Sequence, residues 1–405
     1  MTAAEPTSGF SRLLTGYLLG KHDKYAPPDY RVNITIGIDL VQILNVNEVT
    51  QQMTVQVFIH EEWMDKTLTW DPSQFGGLKH TWIPEDEIWI SDITVLNTME
   101  FMNIMDSVRT PAEISHTGKV VRSYPALYAI SCDISIEDFP LDNQQCELVI
   151  ASWGYAKDKL VIRFGNQSLV HYRKNEEWAL NKVFTDERIY DLDGNLHSEA
   201  RFIIAISRKP LYYVVNLVFP CYIICILGIA GLFARFSTRP ERQERYTLGV
   251  TALVSVAVFG TVVAEKIPHT SREIPSLLIF FLYDLVLLSI ATMAAGVVMW
   301  LNYKGNKPNA KMPPAWLPKL FLCAKWDKRH HRDILDLVDD PMESSFHHGN
   351  VSKLMIMETW AVITHRIDSF LFFLFFLFIT IPTVDMIKRC ADKLDEPDVN
   401  FVESY

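Results

Sequence analysis

Four long apolar runs in the second half of the chain constrain its fold more than any other feature. A helix needs about 20 predominantly apolar residues to cross the roughly 30 Å hydrocarbon core of a bilayer. The first three runs reach that length, and amphipathic sequence from Lys353 to Asp368 precedes the shorter fourth run. The runs are Leu211–Phe233, Glu244–Lys266, Leu277–Leu301 and Ser369–Ile381. They predict four transmembrane helices.

The first half of the chain has a different pattern, with a period of two. Apolar residues from Val32 to Leu40 alternate with polar or small ones, which is typical of a half-buried strand. Turn signals such as Asp71-Pro72 and Asp193-Gly194 separate further strand candidates. These candidates are Met53–Phe58, Glu87–Ile93, Val120–Asp133, Gln145–Ser152, Leu160–Phe164 and Arg201–Arg208. Many short strands and few helices predict an immunoglobulin-like β-sandwich.

The charge of the chain is concentrated in its first half. The formal net charge is −10, and residues 1–210 hold 19 Lys and Arg residues against 29 Asp and Glu residues. An acidic domain disfavours nucleic acid as a partner and enriches cations near its surface. The sequence has no nucleophile elbow, no P-loop and no cysteine spacing typical of a metal site. We therefore expect no enzyme, no cofactor and no metal.

Charge in the loops predicts the orientation in the membrane. The cluster Lys325–Arg332 falls between the third and fourth spans, and basic loops stay in the cytoplasm. We expect a multi-pass plasma-membrane protein with both termini extracellular. The predicted domains are 1–210 extracellular sandwich, 211–302 transmembrane helices one to three, 303–357 cytoplasmic insert with amphipathic helices, 358–390 fourth transmembrane helix with its cytoplasmic lead-in, and 391–405 extracellular tail.

Two sequons and a polar N-terminus bear on the secretory route. Asn33 and Asn166 each begin an Asn-x-Ser/Thr triplet, which predicts glycosylation. The stretch Met1–Gly9 lacks the apolar core of a signal peptide, so we expect a leader to have been cleaved or replaced. Both observations are compatible with an extracellular first half.

The second apolar run carries an unusual polar stripe. At helical spacing one face holds Glu244, Thr247, Thr251, Val254, Val258 and Glu265. Hydroxyls can solvate ions, valines can gate by dewetting, and acids at both ends can select cations. The alternative is an ordinary membrane helix with tolerated threonines. The stripe indicates the lining of a pore.

Polar and thiol groups also occur inside the other spans. Asp284 interrupts the third run, and an acid within a membrane is expected to face the bundle and to bond a neighbour. Cys221 and Cys225 fall in the first run, where thiols usually pack as small hydrophobic groups.

The segment from Cys132 to Cys146 closely resembles the signature loop of the Cys-loop pentameric ligand-gated ion channels. The two cysteines, Phe139-Pro140 and Asp142 stand at the family spacing. The resemblance continues in the same order over essentially the whole chain, through Trp63, Trp70, Trp89, Ala151-Ser152-Trp153, Arg208–Tyr213, Pro220-Cys221 and Val263–Pro268. It implies an extracellular β-sandwich followed by a four-helix transmembrane bundle, assembled as a pentamer of identical or homologous subunits.

The resemblance also implies how the two domains communicate. Cys132 and Cys146 are expected to form a disulfide, and the loop that they close, with Phe139, Pro140 and Asp142, transmits binding to the gate in the family. Glu48 and Arg208 match a family ion pair at the boundary between sandwich and membrane. Taken as an exposed pair it would stabilise by less than ~1 kcal/mol. Exchanging the two charges is then expected to restore gating that either single mutation loses.

Within the family, the chain resembles the cation-selective branch of nicotinic acetylcholine and serotonin receptors. Anion-selective relatives usually carry a Pro-Ala-Arg turn where this chain has Arg242-Gln243-Glu244-Arg245. The resemblance implies a ring of Glu244 carboxylates at the cytoplasmic mouth and a ring of Glu265 carboxylates at the outer mouth. Val254 occupies the position of a common gate leucine. We expect monovalent cations to permeate a pore surrounded by membrane lipid.

Part of an aromatic box for a cationic agonist is present. Trp153 matches the central tryptophan, Tyr190 matches the first tyrosine of the capping hairpin, and Phe58 falls where the neighbouring subunit offers a tryptophan. Cation–π attraction contributes roughly 0.5–2 kcal/mol for each well-placed ring. These positions predict a site between subunits for a small-molecule agonist, a cationic amine or a zwitterion.

Three positions depart from the acetylcholine-receptor pattern. Leu96 replaces a tyrosine, His197 stands where the second hairpin tyrosine is expected, and the hairpin lacks the adjacent cysteine pair. Arg122 on the opposite face would repel a simple cation or bind a carboxylate. Two alternatives to a homopentameric agonist-gated channel therefore stay open. They are an auxiliary subunit that needs a partner to bind agonist, and a receptor or binding protein that does not conduct.

Overall fold

A computed structural model describes residues 8–103, 110–233, 239–265, 267, 274–307, 312–313 and 347–394, with the backbone alone for residues 8, 101–103, 239–244, 347–355 and 394. The chain divides into two compact units, and it passes from the first to the second between Lys209 and Pro210. The change in sequence pattern at Pro210 therefore coincides with a structural boundary.

The first unit is a helix followed by two β-sheets. Helix α1 spans Ser8–Leu19. The strands are β1 Val32–Asn47, β2 Gln52–Met64, β3 His80–Pro84, β4 Ile93–Val95, β5 Thr98–Asn103, β6 Pro111–Ser115, β7 Lys119–Ser131, β8 Asn143–Ser152, β9 Leu160–Ser168, β10 Trp178–Leu192 and β11 Asn195–Arg208. One sheet has the order β3-β6-β7-β2-β1-β9 with β5 also on β7, and the other has the order β10-β11-β8-β4.

Alternating side chains build the core between the sheets. In β1, Val32, Ile34, Ile36, Ile38 and Leu40 are buried while the residues between them are exposed or partly exposed. Because successive side chains of a strand point to opposite faces, this pattern gives each sheet one apolar face. The predicted β-sandwich is confirmed. The predicted strand Glu87–Ile93 is wrong, because a 3-10 turn spans Glu85–Glu87 and Trp89 N–H donates to His22 Nε2 at 2.9 Å instead of to a sheet partner.

The hairpin between β10 and β11 has a two-residue turn. Asp193 and Gly194 both have positive φ, 52° and 85°, which is the backbone conformation of a type I′ turn. The turn fixes the register, so Tyr190 lies directly opposite His197. The hairpin thus brings two of the predicted ligand-site residues together.

The second unit is helical. A helical turn α2, Leu211–Tyr213, and a π-helical segment, Val214–Val218, lead into α3, Phe219–Phe233. Three longer helices follow: α4 Arg239–Ala264, α5 Ser276–Gly305 and α6 His347–Leu394. Within the described residues four segments are long and apolar enough to cross a membrane, namely Leu211–Phe233, Arg245–Ala264, Ser276–Gly305 and Ile356–Lys393. The predicted spans are thus confirmed.

The last span is longer than its apolar core. The predicted lead-in Lys353–Asp368 and the apolar stretch Ser369–Ile381 form one continuous helix, α6, with Pro382 inside it. Most of the predicted cytoplasmic insert, including its basic cluster, and most of the predicted extracellular tail lie outside the described residues.

Small residues let α4 approach its neighbours. A Cβ on Gly228 of α3 would lie 2.8 Å from the Cβ of Ala252, and one on Gly249 would lie 2.9 Å from Thr292 Oγ1 of α5. Close helix contacts of this kind are typical of membrane bundles, where packing replaces the hydrophobic effect. They fix which face of α4 the rest of the subunit covers.

Candidate functional site: exposed face of α4, disulfide loop and aromatic residues

One face of α4 stays exposed within the subunit's own bundle. Thr247, Thr251, Val254 and Val258 are exposed, with 59% for Val254 and 55% for Val258. The buried positions of the same helix are Arg245, Gly249, Ala252, Val256 and Val263. With 3.6 residues per turn, the buried and exposed sets lie on opposite sides of the helix. The predicted stripe is therefore the side of α4 that its own subunit does not cover.

Three hydroxyl groups of α4 donate to carbonyl oxygens of their own helix. Thr251 Oγ1 donates to the Thr247 carbonyl at 2.8 Å, Ser255 Oγ donates to the Thr251 carbonyl at 2.9 Å, and Thr261 Oγ1 donates to the Val258 carbonyl at 2.8 Å. A hydroxyl that donates its hydrogen keeps its oxygen lone pairs for another partner. The exposed Thr251 hydroxyl thus presents an acceptor, which suits a cation.

Charged residues stand at both ends of the exposed stripe. Glu265 is exposed directly after the last helical residue, Ala264, whereas the side chain of Glu244 lies outside the described residues. Arg245 is buried, and its Nη2 donates to Asp368 Oδ2 of α6 at 3.3 Å. The basic side chain next to Glu244 is therefore directed away from the stripe.

The predicted disulfide is present in the sandwich. Cys132 and Cys146 are bonded, and the peptide bond between Phe139 and Pro140 is cis. Phe139 is 2% exposed and Asp142 is 3% exposed. Gln144 Nε2 donates to Asp142 Oδ2 at 2.7 Å and to the Ser135 carbonyl at 2.6 Å. The closed loop is thus held by internal hydrogen bonds as well as by the covalent link.

Arg208 is the centre of a buried ionic network. Its Nε donates to Asp142 Oδ1 at 2.9 Å, its Nη1 donates to Glu177 Oε1 at 2.8 Å, and its Nη2 bonds Glu48. The guanidinium carbon also lies 4.2 Å from the ring centroid of Trp178. The pair with Glu48 is present, but the expectation of an exposed pair is wrong. The Arg208 side chain is fully buried, and Glu48 is 16% exposed.

Trp153 projects from the sandwich. It follows β8 and is 78% exposed. Asp92 holds the loop, because Ser152 Oγ donates to its Oδ1 at 2.6 Å and Gly154 N–H donates to its Oδ2 at 2.5 Å. A large exposed aromatic side chain on a fixed loop is a candidate contact for a ligand or a neighbouring subunit.

The other predicted box residues are distributed over both sheets. Tyr190 and His197 stack with their ring centroids 5.4 Å apart. The pKa of Tyr190 is raised, mainly by burial and to a smaller extent by the negative charge of Glu199. Leu96 is partly buried and anchored by its backbone, because its N–H donates to the Val149 carbonyl at 2.8 Å. Phe58 lies on β2 of the other sheet, in edge contact with His171. Their roles in binding stay predictions.

Glu61 is a candidate site residue that sequence reasoning missed. The buried residues of β2 alternate as Met53, Val55, Val57, Ile59, Glu61 and Trp63. Glu61 thus occupies a core position and is only 1% exposed. The signal was present in the sequence, because an acid interrupts the apolar phase of a period-two pattern.

Partners from neighbouring elements surround the Glu61 carboxylate. Tyr124 Oη donates to Glu61 Oε1 at 2.8 Å, and Arg122 Nη1 lies 3.4 Å from the same oxygen. Arg122 is partly buried, and its Nε also donates to Glu85 Oε2 at 2.7 Å. The predicted ligand-site arginine is therefore already paired with two carboxylates. Because Glu61 occupies a core position of β2, the cluster of Arg122, Tyr124 and Glu85 extends into the core of the sandwich.

The position of Glu61 makes its ionised form costly. Burial raises the pKa of Glu61, and the Arg122 charge and the Tyr124 hydroxyl offset part of that rise. The pKa of Tyr128 is raised to about 12, mainly by burial and to a smaller extent by the negative charge of Glu61. Glu61 therefore takes up a proton at a higher pH than an exposed glutamate does.

Comparison with known proteins agrees with this architecture. Residues 11–210 match the family profile described as neurotransmitter-gated ion-channel ligand binding domain, and residues 217–333 match the profile described as neurotransmitter-gated ion-channel transmembrane region. The "Proton-gated ion channel subunit pbo-6" of Caenorhabditis elegans is 41% identical over 390 residues, covering 96% of this chain and 89% of that protein.

Two further relatives are receptors for small molecules. The "Betaine receptor acr-23" of Caenorhabditis elegans is 30% identical over 308 residues, covering 70% of this chain and 56% of that protein. The "Acetylcholine receptor subunit beta" of Xenopus laevis is 28% identical over 306 residues, covering 73% of this chain and 61% of that protein. The matched region thus spans a little over half of each of these two relatives.

The family profiles together cover most of the chain, and they do so in the order that the fold shows. Members of this family are pentameric channels of the plasma membrane with an extracellular N-terminal domain, and they are not enzymes. The chain therefore belongs to the neurotransmitter-gated, Cys-loop family of ligand-gated ion channels.

Proposed function

We propose that the chain is a cation-selective channel subunit whose pore opens when extracellular pH falls. The observation that carries the proposal is the cluster around the buried carboxyl group of Glu61. It is supported by the similarity to a proton-gated channel subunit, which is 41% identical over 96% of this chain. A proton needs no aromatic box. It needs a buried acid whose interactions with its partners differ between the ionised and the protonated form.

The Glu61 cluster meets that requirement. In its ionised form the Glu61 carboxylate accepts from Tyr124 Oη and lies beside Arg122. Protonation removes the negative charge and leaves Arg122 with Glu85 as its remaining acidic partner in the cluster. Because an unpaired charge or polar group in a protein interior is costly, the strands that hold these side chains then favour a different arrangement.

The exposed stripe of α4 supports cation selectivity. Copies of α4 around a central axis would line the pore with the Thr251 hydroxyl, the two valines and Glu265, with Glu244 at the opposite end. Oxygen atoms with lone pairs and rings of carboxylates stabilise cations and exclude anions. We propose that monovalent cations permeate.

An organic agonist at the subunit interface is a second candidate. Trp153 is 78% exposed, and the hairpin beside it carries the exposed carboxylates Asp191 and Asp193. These groups attract a cationic amine or a zwitterion. In this candidate protons modulate the channel, and the amine or zwitterion opens it.

Expression of the chain alone in oocytes tests the proposal. We expect a step from neutral to mildly acidic medium to evoke a current whose reversal potential follows the sodium gradient. Replacement of chloride by a large anion should leave that potential unchanged. A reversal potential that follows chloride would contradict cation selectivity. Acid currents that need a co-expressed relative would identify an auxiliary subunit, and currents evoked only by amines or amino acids would favour the second candidate.

Val254 is expected to form part of the gate. Replacing Val254 by serine keeps the side chain small but makes the constriction polar, so the closed pore should stay wet and leak at rest. We expect a resting cation current. We also expect activation by a smaller fall in pH or, in the second candidate, by a lower concentration of the amine or zwitterion. Val286→Ser is a matched control, because Val286 is an exposed valine on α5. Equal resting currents in wild type, Val254→Ser and Val286→Ser would argue against this gate.

A further inference from the structure

Three side chains with metal-binding atoms converge inside the helical bundle, on residues that the proposed pore does not use. Cys221 and Cys225 are one turn apart on α3, and Asp284 lies on α5. All three are fully buried. Their two sulfur atoms and a carboxylate oxygen lie within 4.8 Å of one another, and Cys221 Sγ is 3.8 Å from Asp284 Oδ2. Asp284 thus faces the bundle and bonds a neighbour, as the sequence predicts.

One buried oxygen atom of this cluster lacks a hydrogen bond. In the described part of the chain, Asp284 Oδ1 has no hydrogen-bond partner, although it is buried from solvent. A buried carboxylate oxygen without a partner is costly. The thiol of Cys221 bonds only the other oxygen, Oδ2. The cluster therefore contains one buried oxygen that is free to accept a further bond.

We propose that Cys221, Cys225 and Asp284 bind one thiophilic divalent cation of the Zn²⁺ type and so connect α3 to α5. Two thiolates and a carboxylate are ligands that suit zinc, at about 2.3 Å for sulfur and about 2.0–2.2 Å for oxygen. Such bonds place tetrahedral donors roughly 3.5–3.8 Å apart, so only a small approach of the side chains is needed. Soft sulfur ligands also discriminate against the sodium and calcium ions of a cation channel.

The charge of the site makes binding depend on pH. Thiols must lose their protons before they bind a metal as thiolates. A divalent cation replaces the thiol protons, and the carboxylate supplies a third anionic ligand. Metal binding therefore releases protons, and the affinity should fall as the medium is acidified. This property belongs to the bundle and does not depend on what opens the channel.

Cobalt is a suitable probe, because thiolate coordination gives it strong near-ultraviolet charge-transfer bands. Untagged full-length channel carrying Cys323→Ser, purified as pentamers in detergent, would be freed of metal and titrated with Co²⁺. We expect the bands to saturate at one ion per subunit, to disappear when Zn²⁺ is added, and to weaken at lower pH. A titration without charge-transfer bands would overturn the proposal.

Four variants on the same background assign the ligands. Cys221→Ser and Cys225→Ser should each lower the affinity roughly 10-fold or more and reduce the charge-transfer intensity. Asp284→Asn should lower the affinity while both sulfur bands remain. Cys390→Ser is the matched control, because Cys390 is a buried free cysteine outside the cluster, and it should bind as the background does. If a serine variant gives no pentamers, Asp284→Asn decides. Unchanged binding in the cluster variants would overturn the proposal.

Discussion

Replacing Arg208 with alanine should destabilise the extracellular domain by about 3–5 kcal/mol, the usual cost of removing one partner from a buried ion pair. Arg208 is fully buried and is the shared cation of Glu48, Asp142 and Glu177. Without it, the carboxylate of Asp142, which is 3% exposed, loses its charge partner in a place that water does not reach. The guanidinium also packs against Trp178, so alanine leaves a cavity.

The buried network changes the expected result of exchanging Glu48 and Arg208. A two-residue ion pair tolerates a reversal of its charges. Here a glutamate at position 208 would face Asp142 and Glu177, and like charges at such distances repel strongly in an interior. We therefore expect the double variant Glu48→Arg, Arg208→Glu to remain as unstable as Arg208→Glu alone.

Both results can be measured as thermal loss of pentamer from the purified full-length channel, followed by size-exclusion chromatography. Arg188→Ala is the matched control, because Arg188 pairs with Asp186 on the surface of β10, where ion pairs contribute little. We expect Arg188→Ala to melt with wild type and Arg208→Ala to melt well below it. If Arg208→Ala melted with the control, or if the double variant recovered wild-type stability, the network would not be the stabilising unit.

Local patterns were enough to predict much of this structure. The alternation after Val32 gives the strands, and the Asp193-Gly194 pair gives a hairpin turn. The polar stripe of α4 follows from helical spacing. Each of these features depends on residues that are close in sequence, and for that reason periodicity and turn chemistry predict them.

Features that depend on packing could not be predicted in the same way. Arg208 gathers Glu48, Asp142 and Glu177 only because β11 and three distant segments meet, so the sequence showed one partner and not the network. The prediction of a strand at Glu87–Ile93 was wrong for a similar reason, because the backbone N–H of Trp89 donates to the side chain of His22, which is far away in sequence. For Glu61, the pattern marked an acid at a core position, but its partners come from other elements.

Glu61→Gln should make the channel active at neutral pH and flatten its response to acid. Glutamine has the shape of a protonated glutamate and no charge, so the variant stays in the state that a proton produces. We expect the midpoint of activation to move up by roughly one pH unit or more, where one unit corresponds to about 1.4 kcal/mol. Whole-cell currents during a series of pH steps measure both the midpoint and the slope.

The raised pKa of Glu61 also gives the direction in which the stability of the domain depends on pH. Because the folded domain binds this proton more tightly than the unfolded chain, Glu61 contributes stability at low pH and loses that contribution as the pH rises through its folded pKa. Arg122, Tyr124 and Tyr128 of β7, and Glu85 of the turn before β4, are the titratable and charged groups around it. The variant should therefore also lose part of the pH dependence of thermal stability.

The neighbouring Glu62 provides the control. It lies on the same strand, is 44% exposed and pairs with Lys119 Nζ at 2.8 Å, so Glu62→Gln changes the same charge without changing a buried group. We expect its pH response and its stability to match those of wild type. If Glu61→Gln kept the wild-type midpoint and slope while assembling normally, the proton that opens the channel would bind elsewhere. A shift shared equally by both variants would instead indicate an effect of net charge, because surface charge alters local proton concentration.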